Sequence, residues 1–409
     1  MKILFFSDNF PPESNAPAIR TFEHVALWVK DGHEVTVITC VPNFPVGRVF
    51  DGYSNSFYQR ETIDGISVIR VWSYISRNEG VFKRTLDYLS FMISSTIAGL
   101  FLPRHDVVIG TSPQFFSAVA AWLVAKVKRT FFVFELRDFW PESIVAVGAM
   151  KESWALRKLE IFSNYLYRQA DLIIPVTNAF SNVLKKRGID PKKIVVVTNG
   201  IEPGSYKPIT LPKEIKSRWG IPTDAFASGY IGTLGMAHGA KTVLESAELL
   251  RNDKRFHFIL MGPGAERAEI ISYAVESGLT NVSIIDAQPR QEALDVLNAL
   301  DVSLVLLKNS PLFETVIPSK IFEAMELGKP IILGIRGESK DIVVDQAKAG
   351  IAIKPEDSED LVEKLLELYK ETDLCRSMGK NGQSSVQNQF RRSTLARKML
   401  AAIETRISN

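Results

Sequence analysis

Val302-Ser303-Leu304-Val305-Leu306-Leu307, followed after a loop by Pro318-Ser319-Lys320-Ile321-Phe322-Glu323-Ala324-Met325-Glu326-Leu327-Gly328-Lys329-Pro330-Ile331-Ile332-Leu333, reads as strand, helix and strand. The flanks are short apolar runs rich in β-branched residues. Pro318 suits the first turn of a helix, Gly328 ends it, and Pro330 opens the next strand. Outward from this unit the alternation recurs in both directions. Strands are expected at residues 229–232, 256–261, 282–286 and 350–353, and in the first half at 2–6, 34–39, 67–71, 106–110, 130–134, 172–176 and 194–198. Short strands alternating with longer helix-period segments predict an α/β chain of two doubly wound parallel-sheet halves.

The 409 residues suit two domains at ~100–200 residues each. The turn-rich Asn199-Gly200-Ile201-Glu202-Pro203-Gly204 is the best join, giving a first domain over 1–200 and a second over 201–390. Residues 391–407 form a helical pattern with Leu395, Met399, Ala402 and Ile403 on one face, and no strand follows. Such a helix must pack somewhere, and crossing back to brace the first domain is one solution. Hydrophobic residues at 46% exclude a disordered or fibrous chain, and a net charge of +3 argues against nucleic acid as the main partner. Two distant cysteines, Cys40 and Cys375, build neither a disulfide scaffold nor a thiolate metal site and fit a reducing cytosol. The apolar run Ile3-Leu4-Phe5-Phe6 is too short for a leader peptide core and reads as a strand. The apolar stretch 86–102 is interrupted by Asp87, Ser90, Ser94, Ser95 and Thr96 and falls short of the ~20 residues a spanning helix needs.

Ligands of doubly wound sheets bind beyond the carboxyl ends of the strands, so chemistry is sought in the loops there. The helix opened by Pro318, read as running from Ser319 to Leu327, offers unpaired N–H groups at its start, and Lys320 adds a full charge, a combination suited to a diphosphate. Glu323, one turn deeper on the same face, can accept both hydroxyls of a ribose. The same Lys320–Glu323 spacing also fits an ordinary surface pair, but the apolar entry segment Pro311 to Ile317 favours a built pocket. Met261-Gly262-Pro263-Gly264 permits close backbone approach, yet Arg267 stands where a dinucleotide fingerprint needs its third glycine. Asp138, after the strand ending near Phe134, should project beyond that strand's carboxyl end, where ligands bind; a helix cap before Pro141 fits it as well. Glu13, Asn15 and Arg20 form a polar group in the loop after the first strand, another place for a ligand. The five histidines have no zinc-site spacing, and no Asp-x-Asp motif follows a strand, so no metal or other cofactor is expected.

Asn199-Gly200-Ile201-Glu202, Met261 to Glu266 and Phe322 to Ile332, with Asn9 to Glu13 and Gly32 to Val37, make the chain similar to the group 1 glycosyltransferases, the retaining family 4 type. That resemblance implies a GT-B fold, two Rossmann-like domains facing a cleft, with acceptor bound by the first and nucleotide-sugar by the second; it makes Asp138 the candidate for accepting the acceptor proton or steering the sugar, and Glu13, Asn15 and Arg20 candidates for lining the acceptor pocket. Arg137 to Ser143 and Phe313 to Lys320 resemble the O-antigen and capsule transferases that move N-acetylfucosamine. The implied reaction takes a sugar from a UDP-sugar, without a metal, to a saccharide on a polyprenyl diphosphate carrier, in lipopolysaccharide or capsule synthesis.

The resemblance also implies two carboxylates seven residues apart. Glu323 fits the ribose-binding one, but Thr315 falls where the first should be and Glu314 is one step out of register, so a bulge is needed to restore it. The implied Arg and Lys after the second domain's first strand are replaced by Gly232-Thr233-Leu234-Gly235-Met236-Ala237-His238-Gly239. Lys320, with Lys308, is expected to compensate the diphosphate instead, although Lys308 also reads as a plain surface residue; His238 and Gly235 are expected near it. Gln288 and Arg290 sit where the resemblance places the nucleobase, and a simple turn fits them too. Residues 77–104, with Lys83 and Arg84 beside an apolar helix, suit a membrane-surface element or equally a core helix, and Trp154, Leu156, Leu159 and Phe162 with Lys151, Arg157 and Lys158 form a second such stretch. The expected location is the inner face of the cytoplasmic membrane. A UDP-sugar 2-epimerase of the same architecture and a non-catalytic nucleotide-sugar scaffold are the rival readings.

Overall fold

The computed structural model describes residues 1–45, 47–75, 81–143 and 153–408. The chain forms two compact units, one of residues 1–198 and 392–409, the other of 199–391. Both divisions fall within one or two residues of the expected boundaries.

The first unit holds a seven-stranded sheet of β1 (Lys2–Phe6), β2 (Glu34–Cys40), β3 (Tyr58–Ile63), β4 (Ile66–Val71), β5 (Val107–Thr111), β6 (Phe131–Leu136) and β7 (Leu172–Pro175), in the order β3-β4-β2-β1-β5-β6-β7. All neighbours are parallel except β3, which pairs antiparallel with β4 across Asp64-Gly65. Both turn residues have positive φ, 48° and 80°, as a two-residue hairpin requires. β3 was not anticipated because Tyr58-Gln59-Arg60-Glu61-Thr62-Ile63 is polar and never fully buried, the pattern of an edge strand. Conversely, residues 194–198 form no strand. The segment still runs beside β7 as an irregular edge, with an isolated bridge from Ile173 to Ile194 and with Val195 N and Val197 N donating to Ile173 O and Pro175 O, each at 3.0 Å.

The helix Arg392–Ile407 packs on Ala16–Lys30. Leu395, Met399 and Ile403 enter the core that holds Ile3, Val25 and Trp28, each burial contributing about 1.5–3 kcal/mol. Trp28 Nε1 donates to Ala396 O at 2.9 Å, which leaves its one polar atom satisfied.

The second unit holds a six-stranded parallel sheet of β8 (Phe226–Ile231), β9 (Phe256–Met261), β10 (Val282–Ile285), β11 (Val302–Leu306), β12 (Ile331–Gly334) and β13 (Gly350–Ala352), ordered β10-β9-β8-β11-β12-β13. Strand order reverses between β8 and β11, so the loops after these two strands diverge and leave a crevice at their carboxyl ends. The helix after β11 is Lys320–Glu326, shorter at both ends than expected. Ile321, Phe322, Ala324 and Met325 are fully buried, and Gly379 and Gly382 let the helix Thr372–Gln389 approach closely: a Cβ on Gly379 would lie 2.2 Å from Gly328 O. That packing fixes the direction in which Lys320 and Glu323 leave the helix.

Candidate functional site

The reversal point of the second sheet holds a buried lysine. Lys320 Nζ is shielded from solvent and has no hydrogen-bond partner among the described residues. It lies 3.4 Å from the centroid of the Tyr230 ring, near the end of β8. A contact of this kind is worth up to about 2 kcal/mol when desolvated. It fills none of the three N–H donors. Burial pulls the ammonium down to about 7, against the opposing pull of Glu323. Glu323 in turn faces Arg290, with Nη2 to Oε1 3.9 Å, and the three side chains line a cavity of about 50 Å³ with Ile231 and Ser303.

The loop after β8 completes the surroundings. Tyr230 Oη donates to Thr233 O at 3.0 Å, and its ring meets His238 at 6.0 Å, edge to face. Burial first, and the Lys320 charge second, push His238 down to about 4, so it is neutral at physiological pH. Gly235 turns the loop by accepting from the His238 N–H at 2.8 Å. Gly262 and Gly264 make a close approach to the chain's own backbone: a Cβ on them would lie 2.1 Å from Gly232 O and 1.9 Å from Leu234 O. The two post-strand loops therefore brace each other, with Leu234 N donating to Pro263 O at 2.7 Å.

Other expected donor residues are placed differently. Lys308 does not stand beside Lys320; it pairs with Glu266 at 3.1 Å and lines, with His238, a second cavity of about 380 Å³ bounded by the helices Ala240–Leu249 and Arg267–Glu276. Thr315 Oγ1 donates to Leu312 O at 2.6 Å, which closes a 3₁₀ turn over Phe313–Thr315. Glu314 lies in that turn, not in a bulge. Its backbone packs on Gly337, where a Cβ would meet Glu314 O at 2.2 Å, and its carboxylate has no hydrogen bond or ion pair among the described residues. Ser319 makes no capping bond to the helix it precedes. Gln288 is bound at 3.4 Å to Asp286 O in its own loop, whereas Arg290 reaches Glu323.

In the first unit the trio Glu13, Asn15 and Arg20 makes hydrogen bonds that hold backbone. Glu13 accepts from the N–H groups of Asn43 and Phe44, at 2.9 and 2.8 Å, and of Phe10. Asn15 caps the helix Ala16–Lys30 through Ala18 N. Arg20 is buried; it donates to Glu135 at 2.9 Å and to the carbonyls of Val197 and Thr198. Asp138 lies just beyond β6. Burial raises its carboxyl to about 6, although Ser143 and the Phe139 N–H donate to it. Two groups escaped the sequence reading. Burial also raises Asp8 and Asp87, the latter to about 7, and brings these carboxylates near each other and Glu13. Arg137 carries a buried Nε without a partner among the described residues.

The helix Val81–Phe101 turns one face to the core and another to solvent. Phe91 and Ala98 are buried, whereas Ile93, Ile97 and Phe101 are exposed, Phe101 at 88%. Arg77 and Lys151 lie outside the described residues. Among the described residues no helix is long and apolar enough to cross a membrane, and no cluster of three His, Cys, Asp or Glu forms a metal site.

Residues 212–385 match the family described as glycosyl transferases group 1, and residues 16–200 match a glycosyl transferase 4-like domain. The chain is 25% identical over 371 residues to "Putative colanic acid biosynthesis glycosyl transferase WcaI" of Escherichia coli K12, covering 88% of this chain and 90% of that one. Its fold resembles sucrose-phosphate synthase from Thermosynechococcus elongatus, with a TM-score of 0.77 at 16% identity over 100% of this chain and 99% of the other. It also resembles Anabaena HepE, solved in complex with UDP-glucose, with a TM-score of 0.72 at 16% identity over 99% and 100% of the two chains.

Proposed function

Because the chain belongs to the group 1 glycosyltransferases and has their two-domain GT-B fold, we propose that it transfers a sugar, with retention at the anomeric carbon, from a UDP-sugar to a saccharide carried on a polyprenyl diphosphate. The sugar of this reading is an N-acetylated deoxyhexose such as N-acetylfucosamine, and the product enters O-antigen or capsule polysaccharide.

The observation that carries the reading is the buried, unpartnered Lys320 at the β8/β11 reversal with Glu323 one turn away. A departing diphosphate gains negative charge as the glycosidic bond breaks. A preoriented ammonium in a low-dielectric site stabilises that charge more than it stabilises the intact donor, which lowers the barrier. Glu323, turned by Arg290, receives the ribose hydroxyls. No metal is needed for this charge compensation. HepE, of like fold, binds UDP-glucose, and that supports the uridine nucleotide here. Asp138 is assigned to the sugar or the acceptor hydroxyl: a carboxyl near 6 takes up or releases a proton close to neutral pH.

Support for a lipid-linked acceptor comes from the surface of the first unit. The helices Val81–Phe101, Phe115–Lys128 and Trp154–Gln169 follow one another side by side and expose Ile97, Phe101, Val127, Trp154 and Ile161. Lys83, Arg84, Lys126 and Lys128 lie on the first two of these helices and Arg157 and Lys158 on the third, a mixture suited to an anionic bilayer at the cytoplasmic face. Incubation with labelled UDP-sugars and an N-acetylglucosamine-diphosphate-lipid tests the proposal. UDP release coupled to a larger lipid product is expected. Epimerised sugar without glycoside, or UDP binding with no turnover across the donor panel, contradicts it.

A further inference from the structure

Lys320 is an anomaly even within the donor-site reading. Its ammonium has an aromatic face at 3.4 Å and no oxygen within hydrogen-bond reach among the described residues. The position is prepared from three sides. Tyr230 is fully buried and tethered through its hydroxyl to Thr233 O, so the ring cannot turn away. Gly232 supplies the space: a Cβ there would lie 2.9 Å from Nζ and 3.2 Å from Cε, and its φ of +138° is one that side-chain-bearing residues rarely adopt. The loop from Gly232 to Gly239 has no Lys or Arg of its own, and Lys320 brings a cation against its Gly232 end.

We propose that Lys320 is a stored cation, held on the Tyr230 face in the space left by Gly232 until the phosphate oxygens of a nucleoside diphosphate arrive, whereupon Nζ turns onto them and takes up a proton from solvent. This deepens the donor-site assignment and rests on it. The charges facing Nζ explain why a proton is gained. On its own helix Glu323 attracts the ammonium; Arg290, from the helix Arg290–Ala299, competes for that carboxylate. From the loop after β8, His238 is neutral, and Tyr230 contributes only its ring. Desolvation outweighs Glu323, and the amine is close to half-protonated at neutral pH. A diphosphate supplies the missing negative charge and acceptors, and the amine then holds its proton to higher pH. No bond other than N–H forms.

The test is isothermal titration of UDP into the full chain at pH 8, where the terminal phosphate of UDP is already ionised, in two buffers of different ionisation enthalpy. Uptake approaching one proton per UDP is expected, declining towards zero near pH 6, with affinity falling up to tenfold per pH unit above 7. Lys320→Arg, whose guanidinium stays charged, is expected to bind UDP without that uptake. UDP binding by the unmodified protein with no proton uptake at pH 8, or equal uptake in Lys320→Arg, overturns the stored cation and leaves the donor site standing. Absence of UDP binding by the unmodified protein overturns both.

Discussion

Replacing Lys320 by Met should make the second unit more stable and its nucleotide binding weaker. The amine falls from 10.5 to about 7 on folding, chiefly through burial. The unfolded chain therefore binds more protons than the folded one between about pH 7 and 10.5. Stability must rise with pH across that window. At pH 7 the penalty on the charged form is on the order of 5 kcal/mol, offset in part by the Tyr230 contact. Met fills a similar volume without charge, so a gain of about 1–4 kcal/mol is expected. For a unit of this size that is about 2–4 °C in Tm per kcal/mol. The same change deletes a charge-assisted hydrogen bond to phosphate, about 1.5–3 kcal/mol, so UDP affinity should fall roughly 10- to 150-fold. Urea unfolding from pH 6 to 9 and titration of UDP measure the two halves. The variant should also lose the upward slope of stability between pH 7 and 9. A variant that is less stable than the parent at pH 7 and binds UDP equally well would refute the reasoning, because the ammonium would then be a structural contact and not an unsatisfied one.

Three further outcomes follow from the same geometry. Glu323→Gln keeps the shape but loses the charge shared by Lys320 and Arg290; UDP should bind about tenfold more weakly by titration, a loss of about 1.4 kcal/mol, while deoxyuridine diphosphate, lacking the 2′-hydroxyl, should lose less. Asp138→Asn should abolish most transfer in the lipid-product assay and leave UDP affinity intact. Since burial raises Asp138 to about 6, its stability contribution is complete below about pH 3.8 and is lost as pH rises through 6; the Asn variant should flatten that decline and be up to about 3 kcal/mol more stable at pH 7. Replacing Phe101 and Trp154, both largely exposed, by Ser should reduce flotation with anionic vesicles at least tenfold and barely move Tm; unchanged flotation would remove these helices from the membrane contact.

The parallel sheets were legible because their strands are buried on both faces and read as continuous apolar runs, such as Ile3-Leu4-Phe5-Phe6. β3 was legible only through Asp64-Gly65, a two-residue hairpin signal flanked by Ile63 and Ile66, and its polar strand masked it. Residues 194–198 mislead in the other direction. Three consecutive valines predict a full strand, and Val195 and Val197 do donate to β7, but the carbonyls of Val197 and Thr198 go to Arg20, far away in sequence, and the ladder is incomplete. At the site, the spacing of Lys320 and Glu323 is local and could be read. What distinguishes Lys320 is not local: Tyr230 and Gly232 lie some ninety residues earlier, and only the adjacency of β8 and β11 brings them to its ammonium. Lys308 shows the converse, a lysine beside the right strand whose charge Glu266 already holds.

The most direct measurement is a crystal structure of the chain with UDP bound. Both phosphorus atoms beside the β8/β11 reversal, with a phosphate oxygen in hydrogen-bond reach of Lys320 Nζ and that nitrogen off the Tyr230 ring, is the predicted result. Phosphates bound elsewhere, with Lys320 still seated on the ring, would contradict the account.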